Sequence, residues 1–354
     1  MSSDPISGTF GYALELCAAL APRDIEVTLA TLGSPVTAAQ RSHIATLANV
    51  ALREGGWRLE WMPDPWEDLE RAGEWLLELE RETAPNVVHL NHLAHGDLPF
   101  RAPVVVVGHS CVLSWWDAVR AGPLPPQWCP YRERVSASLR GADLVAAPTR
   151  AMLASLERHY GPLHAVSVIA NGRDPRHWSC ATKEPFILAA GRLWDETKNI
   201  ATLCAAAASV RWPILVGPLD RGQLAQLYAR AAIYALPARY EPFGVTALEA
   251  ALSGCALALS DLDGLRELWG DAARYVPAGD PRAWSAALNE LADDEALRSR
   301  LAERARRRAL EFSASRLAAD YAQLYRRLAQ SGRMEAVHTR LPGPHGRHSG
   351  EMRL

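Results

Sequence analysis

Two acidic residues bracket the stretch Glu241-Pro-Phe-Gly-Val-Thr-Ala-Leu-Glu249. Ahead of it lies an apolar, β-rich run over residues 233–238, and a helix is expected to begin near Val245. The backbone amides of Phe243, Gly244, Val245 and Thr246 then head that helix. Such amides and the helix dipole together suit a phosphate. Glu249 falls about one turn in, within reach of a ligand hydroxyl, and Glu241 in the loop reaches another part of the same ligand. A second stretch, Gly191-Arg-Leu-Trp-Asp-Glu-Thr-Lys-Asn199, again joins a strand to a helix. Its Arg192 and Lys198 could neutralise a diphosphate and stabilise the charge that grows as it leaves. A third is the glycine turn Ser7-Gly-Thr-Phe-Gly11, with Gly8 at its centre. The fourth is His109, which follows the fully apolar run Val104-Val-Val-Val107 at the end of a central strand.

These residues need a scaffold that delivers strand ends to one place, and the chain supplies one. Apolar runs alternate with helical periodicity throughout, the pattern of parallel α/β layers. In the first half, strands are expected at 26–32, 58–62, 86–91, 104–109, 143–149 and 165–171. Helices are expected at 11–20, 65–82, 126–140 and 150–160, with Thr149 as an N-cap. A turn-rich segment from Asn171 to Pro185 reads as a linker. The alternation restarts with strands at 185–191, 213–217, 233–238, 256–260 and 274–277. Helices follow at 199–209, 223–232, 245–253, 281–292, 295–312 and 315–328. The organisation is therefore a first domain at 1–172, a linker at 173–184, a second domain at 185–312, a final helix at 313–330 and a disordered tail at 331–354. Ligands in such sheets bind at the carboxyl ends of the strands, and two facing domains make a cleft.

Composition removes several alternatives. The 354 residues are enough for two cores, and a formal charge of −2 argues against nucleic acid as a partner. The Arg-rich run from Arg298 to Arg308 is interleaved with Glu295, Glu303 and Glu311. It reads as a solvated helix face, with peripheral contact to an anionic surface as the other possibility. The six cysteines form no Cys-x-x-Cys pair and suit a reducing, cytoplasmic setting. The stretch 1–7 is short and polar, so no signal peptide is expected, and no apolar run of roughly 18 residues occurs, so no transmembrane helix is expected either.

Taken together, Glu241…Glu249, Gly191-Arg192…Lys198-Asn199, the glycine turn and His109 resemble the retaining family 4 glycosyltransferases of the GT-B fold, over roughly residues 4–328. The resemblance implies an α/β fold with two Rossmann-like domains facing a cleft. It implies transfer of a sugar from a nucleotide-diphosphate donor to a carbohydrate, lipid-linked or small-molecule acceptor, with retention of anomeric configuration. No metal or other cofactor is implied. In that case Arg192 and Lys198 bind the diphosphate, Glu249 the ribose and Glu241 hydroxyls of the sugar. His109 lies near the reacting carbon, and Gly8 lies beside the diphosphate and acceptor. The last helix crosses back onto the first domain. Asp261-Leu-Asp263 looks like the metal motif of a different glycosyltransferase fold, but it follows a strand of the second domain and reads as capping or solvated carboxylates.

Two departures from the family pattern carry expectations. Members begin with a buried strand, whereas only Met1-Ser2-Ser3 precedes Asp4. That strand is expected to be missing, through a displaced start or a truncated gene. After Ile214-Leu-Val-Gly217 a further strand and a base-binding loop are replaced by residues 218–222. One strand is thus expected to be lost from each sheet, leaving apolar edges. Three functions therefore stand beside one another: an active transferase, an impaired GT-B-like protein that binds nucleotide or sugar, and a GT-B-type phosphorylase or epimerase. Trp57, Trp61, Trp66, Trp115, Trp116 and Trp128 cluster in the first half, as core or as acceptor-stacking rings.

Overall fold

The computed structural model describes residues 1–331 apart from 7, 121, 192–194 and 218–220. The expected tail therefore lies almost wholly outside the described residues. In the first half β1 (Ser2–Ser3), α1 (Gly8–Leu20), β2 (Val27–Thr31), α2 (Ala38–Ile44), β3 (Val50–Glu54) and α3 (Trp66–Thr83) follow in order. They lead to β4 (Val88–Leu90), β5 (Val104–Val107), α4 (Val112–Val119), α5 (Cys129–Gly141), β6 (Leu144–Ala147), α6 (Arg150–Tyr160) and β7 (Val166–Val168). The second half holds β8 (Glu184–Ala190), α7 (Ile200–Ala207), β9 (Ile214–Gly217), α8 (Arg221–Arg230), β10 (Ala231–Leu236) and α9 (Val245–Leu252). It closes with β11 (Ala256–Ser260), α10 (Asp263–Trp269), β12 (Ala273–Val276), α11 (Pro281–Asp293), α12 (Glu295–Ala309) and α13 (Ala314–Ser331).

All strand pairs are parallel, in the orders β1-β2-β3, β4-β5-β6-β7 and β12-β11-β10-β8-β9. The central strands β5, β10 and β11 are buried along their whole length, as parallel strands covered on both faces must be. α13 returns to the first half, where Leu317, Ala318, Tyr321 and Leu324 share a core with Leu16 and Leu20 of α1.

Two expectations are corrected here. The third strand lies at Val50–Glu54, not at 58–62. As an edge strand, β3 alternates only half-buried and exposed positions, so its apolar signal is weak. Residues 58–62 instead form a turn closed by the Met62 amide on the Leu59 carbonyl at 2.9 Å. The first strand is also present, though only two residues long. Ser2 and Ser3 pair with Ala30 and Thr31 and are almost fully buried despite their polarity.

Ser2 is tolerated there because its hydroxyl is hydrogen-bonded to the end of β4. Ser2 Oγ accepts from the Asn91 amide at 2.9 Å, and Asn91 Nδ2 donates to the Ser2 carbonyl at 2.8 Å. These bonds tie β1 to the end of β4, where no ladder joins the two sheets among the described residues. Behind the short strand, Val27, Thr28 and Ala30 of β2 face Val88, His89 and Leu90 of β4 across a cavity of about 540 Å³. Among the described residues the second-half sheet has five strands, and Leu215 on its edge strand β9 is 41% exposed.

A directed chain of imidazoles continues from Ser2. The Leu69 carbonyl can only accept, so His95 Nε2 carries a proton toward it at 2.8 Å. His95 Nδ1 then accepts from His92 Nε2 at 2.6 Å, and His92 Nδ1 accepts from Ser2 Oγ at 2.7 Å. Burial holds all of these rings neutral: the His95 pKa falls to about 4, and that of His92 lies well below its ordinary value.

Candidate functional site

The site is built where β8 and β10 end. Past β10, residues 237–243 form a loop that Gly244 closes with φ +83°, a left-handed conformation that favours glycine, before α9 begins at Val245. Glu241 folds back over this turn. Its Oε1 accepts from the Gly244 amide at 3.0 Å, and its Oε2 pairs with Lys198 Nζ at 2.7 Å. Both side chains are largely buried. Lys198 ends a short 3-10 turn, Glu196–Lys198, that Asp195 caps through the Thr197 amide. The Arg239 amide donates to the Thr197 carbonyl at 2.8 Å, and Asn199 Nδ2 donates to the Pro237 carbonyl at 2.9 Å. The two loops that the sequence singles out are thus pinned to each other. Arg192, expected beside them, lies outside the described residues.

Glu249 stands one turn into α9 and is buried. Its Oε1 accepts from Arg173 Nε at 2.8 Å. Arg173 was not expected at the site. Its segment shows only turn formers, and no periodicity marks a buried cation there. Among the amides at the head of α9, that of Gly244 is taken by Glu241, which leaves Val245 and Thr246 to present theirs at the first turn. The Phe243 side chain is buried in the core, edge-on to Phe312 at 5.9 Å.

From the first half, His109 follows β5 and donates from Nε2 to Asn91 Oδ1 at 2.9 Å. Asn91 Oδ1 also takes the His89 Nε2 proton at 3.0 Å, which leaves His89 Nδ1 to accept from the Tyr325 hydroxyl at 2.6 Å. Tyr12 of α1 lies edge-on to the His109 ring at 4.5 Å. Desolvation lowers the His109 pKa to about 3, so the imidazole is neutral near pH 7. Gly8 opens α1, and a Cβ added there would meet none of the described residues within 4 Å.

The two halves meet around these groups. Ser110, next to His109, shares a hydrogen bond with the hydroxyl of Tyr240, the neighbour of Glu241, at 3.1 Å. Thr149 Oγ1 donates to the Pro242 carbonyl at 3.1 Å and also caps α6 through the Met152 amide, as expected. Glu267 of α10 accepts from the Arg150 and Ala151 amides at 2.9 and 3.0 Å, and Arg120 pairs with Glu196 at 2.7 Å. The structure therefore joins Lys198, Glu241 and Gly244 directly, and sets Ser110, the neighbour of His109, against Tyr240, the neighbour of Glu241. Asp261 is engaged by Arg266 in a two-nitrogen pair, and Asp263 opens α10. Of the tryptophans, Trp57 packs on Trp75 at 4.9 Å and Trp128 on Tyr131 at 5.7 Å, while Trp61 and Trp66 are exposed. Trp115 carries the Arg120 guanidinium over its ring at 5.3 Å.

Comparison with known proteins defines the class. The model of Glycosyltransferase Family 4 matches residues 6–177, and that of Glycosyl transferases group 1 matches residues 213–308. The chain belongs to this glycosyltransferase family and has its GT-B fold. It is similar to a glycogen synthase of Mycobacterium tuberculosis, 28% identical over 338 residues that cover 82% of this chain and 79% of that protein. A D-inositol 3-phosphate glycosyltransferase of Kineococcus radiotolerans is 35% identical over 123 residues, 32% of this chain and 28% of that one. Among solved structures, sucrose-phosphate synthase from Thermosynechococcus elongatus superposes with a TM-score of 0.76 at 21% identity, over 92% of this chain and 94% of that one. HepE from Anabaena, in complex with UDP-glucose, gives 0.73 at 15%, over 92% and 98%. Among the described residues no helix is long and apolar enough to cross a membrane.

Proposed function

We propose that the protein is a metal-independent hexosyltransferase of the cytoplasm that moves a sugar from a nucleotide-diphosphate donor to an acceptor with retention of configuration. The observation that carries this reading is the Lys198–Glu241 pair at 2.7 Å, set at the head of α9 with Glu249 one turn further on. On this reading the second half holds the donor and the first half the acceptor. Lys198 and Arg192 take the diphosphate, the amides of Val245 and Thr246 add to its binding, and Glu249 takes the ribose. Glu241 orients sugar hydroxyls. His109, uncharged, approaches the sugar from the opposite half, and Gly8 lies beside the diphosphate. The bond from the anomeric carbon to the phosphate oxygen breaks with its electron pair passing to the phosphate. The acceptor hydroxyl forms the new bond on the same face and gives its proton to that phosphate oxygen. The protein's part is orientation and charge stabilisation.

The test is product analysis by NMR and mass spectrometry with UDP-, GDP- and ADP-sugars and a pool of candidate acceptors, in the presence of a chelator. Release of the nucleoside diphosphate together with a glycoside of unchanged anomeric configuration is the expected result. An inverted product, or a requirement for added metal, would sink the corresponding half of the proposal. A sugar phosphate formed only with inorganic phosphate identifies a phosphorylase, a converted donor sugar an epimerase, and tight donor binding without turnover an impaired binding protein.

A further inference from the structure

Arg173 sits where the chain crosses twice between the halves. Its amide donates to the Phe312 carbonyl at 3.0 Å and its carbonyl accepts from the Ala314 amide at 3.0 Å. The neighbouring Gly172 allows this approach, because a Cβ there would lie 2.5 Å from the Ser313 carbonyl oxygen. The backbone of Arg173 is thereby fixed to both crossings. Its side chain is 8% exposed and runs inward. The guanidinium cannot discharge, so burial demands carboxylates. Two are present, from opposite halves. Glu249 of α9 accepts from Nε at 2.8 Å, and Glu15 of α1 lies 4.0 Å from Nη1. Glu15 is itself held by the Asp174 amide at 2.7 Å.

We infer that Arg173 is a positioning residue that fixes the Glu249 carboxylate in the orientation that takes the donor ribose. The inference rests on the reading of Glu249 as the ribose-binding group. A carboxylate that engages a ribose hydroxyl must be held at one angle, and a planar guanidinium on a clamped backbone supplies that constraint. Glu15 shares the charge of Arg173, so the arrangement spans both halves at their crossing.

The experiment compares binding of the tightest of UDP, GDP and ADP with binding of its 2′,3′-dideoxy form, by calorimetry on the full chain. Arg173→Gln weakens the ordinary nucleotide by about tenfold and changes the dideoxy form by less than about twofold. Arg173→Lys, which keeps the charge but loses the planar fork, shows a smaller loss confined to the ordinary nucleotide. Should Arg173→Gln fail to fold, the Arg173→Gln/Glu15→Gln double variant strands one fewer carboxylate and is expected to show the same selectivity. Arg173→Lys provides the same readout from a charge-preserving chain. Equal losses on both nucleotides in these variants overturn the inference. Glu249→Gln separates the two readings. If it fails to distinguish the nucleotides, the ribose assignment itself falls. If it distinguishes them and the Arg173 variants do not, the inference alone falls.

Discussion

Lys198→Met is expected to lower kcat/KM for transfer by about 10²–10³-fold while leaving the fold intact, the scale seen when one stabilising group at a developing anion is removed. The reason lies in its placement. Lys198 ends a turn whose backbone is bonded to the Glu241 loop, so its ammonium is held at the helix start and not swept through solvent. In the structure Glu241 is the counter-ion. When a diphosphate arrives, the cation gains a second, stronger partner, and its charge is most valuable as negative charge accumulates on the leaving phosphate. Glu241→Gln keeps an acceptor for the Gly244 amide and removes the charge, and a loss of similar order is expected. The double variant should fall little further than either single variant, since two groups that act as a unit do not add. Steady-state kinetics of all three, with circular dichroism and thermal unfolding alongside, provide the check. Transfer at the wild-type rate in both single variants would remove these residues from the chemistry.

The second large effect concerns acid. His89, His92 and His95 are buried, and desolvation lowers all three: His89 to about 3, His95 to about 4 and His92 well below its ordinary value. In the unfolded chain each titrates near 6.5. Below that pH the unfolded state binds protons that the folded state refuses, so stability falls as pH drops from about 6.5 toward 4. The slope approaches about 1.4 kcal/mol per pH unit for each histidine. Glu60 works in the opposite sense. Its buried carboxyl, which accepts from the Leu93 amide at 2.8 Å, is raised by desolvation and stabilises the fold on protonation. One carboxyl does not reverse three histidines. Denaturant midpoints at pH 7.5, 6 and 5 should therefore decline steeply. A flat profile between pH 6.5 and 5 would show that these rings titrate normally and that the chain from Leu69 to Ser2 does not hold.

Much of this molecule is legible from residue pattern because parallel strands buried on both faces leave long apolar runs. β5 and β11 fall inside the expected spans for this reason, β10 runs two residues ahead of its own at Ala231–Leu236, and the loop-to-helix start at Gly244 stands where it is expected. Elements without that signature are missed. α2 is seven residues long, marked by a capping box at Thr37 and Gln40 rather than by an apolar stripe. α4 follows a strand end too closely to stand out, and α10 hides behind two aspartates that look like ligands. β1 is the sharper lesson: Ser2 sits in a core strand because Asn91 and His92, some ninety residues away, satisfy its hydroxyl. The site divides in the same manner. Lys198, Glu241 and Glu249 are visible because each sits at fixed spacing from a strand end. Arg173 and Asn91 are not, because their roles depend on partners far along the chain. Glu241 and Glu249 also each carry a cation partner, Lys198 and Arg173, that residue pattern alone does not pair with them.

The central claim is that a nucleoside diphosphate binds at the head of α9. Backbone amide hydrogen exchange, measured with and without saturating UDP, GDP or ADP, tests it most directly. The account predicts that at least one of these nucleotides slows exchange at Val245 and Thr246 and in the turn around Lys198, and that Lys198→Met abolishes the effect. Protection confined to the first half, with α9 and the Lys198 turn unchanged by any nucleotide that binds, would contradict it.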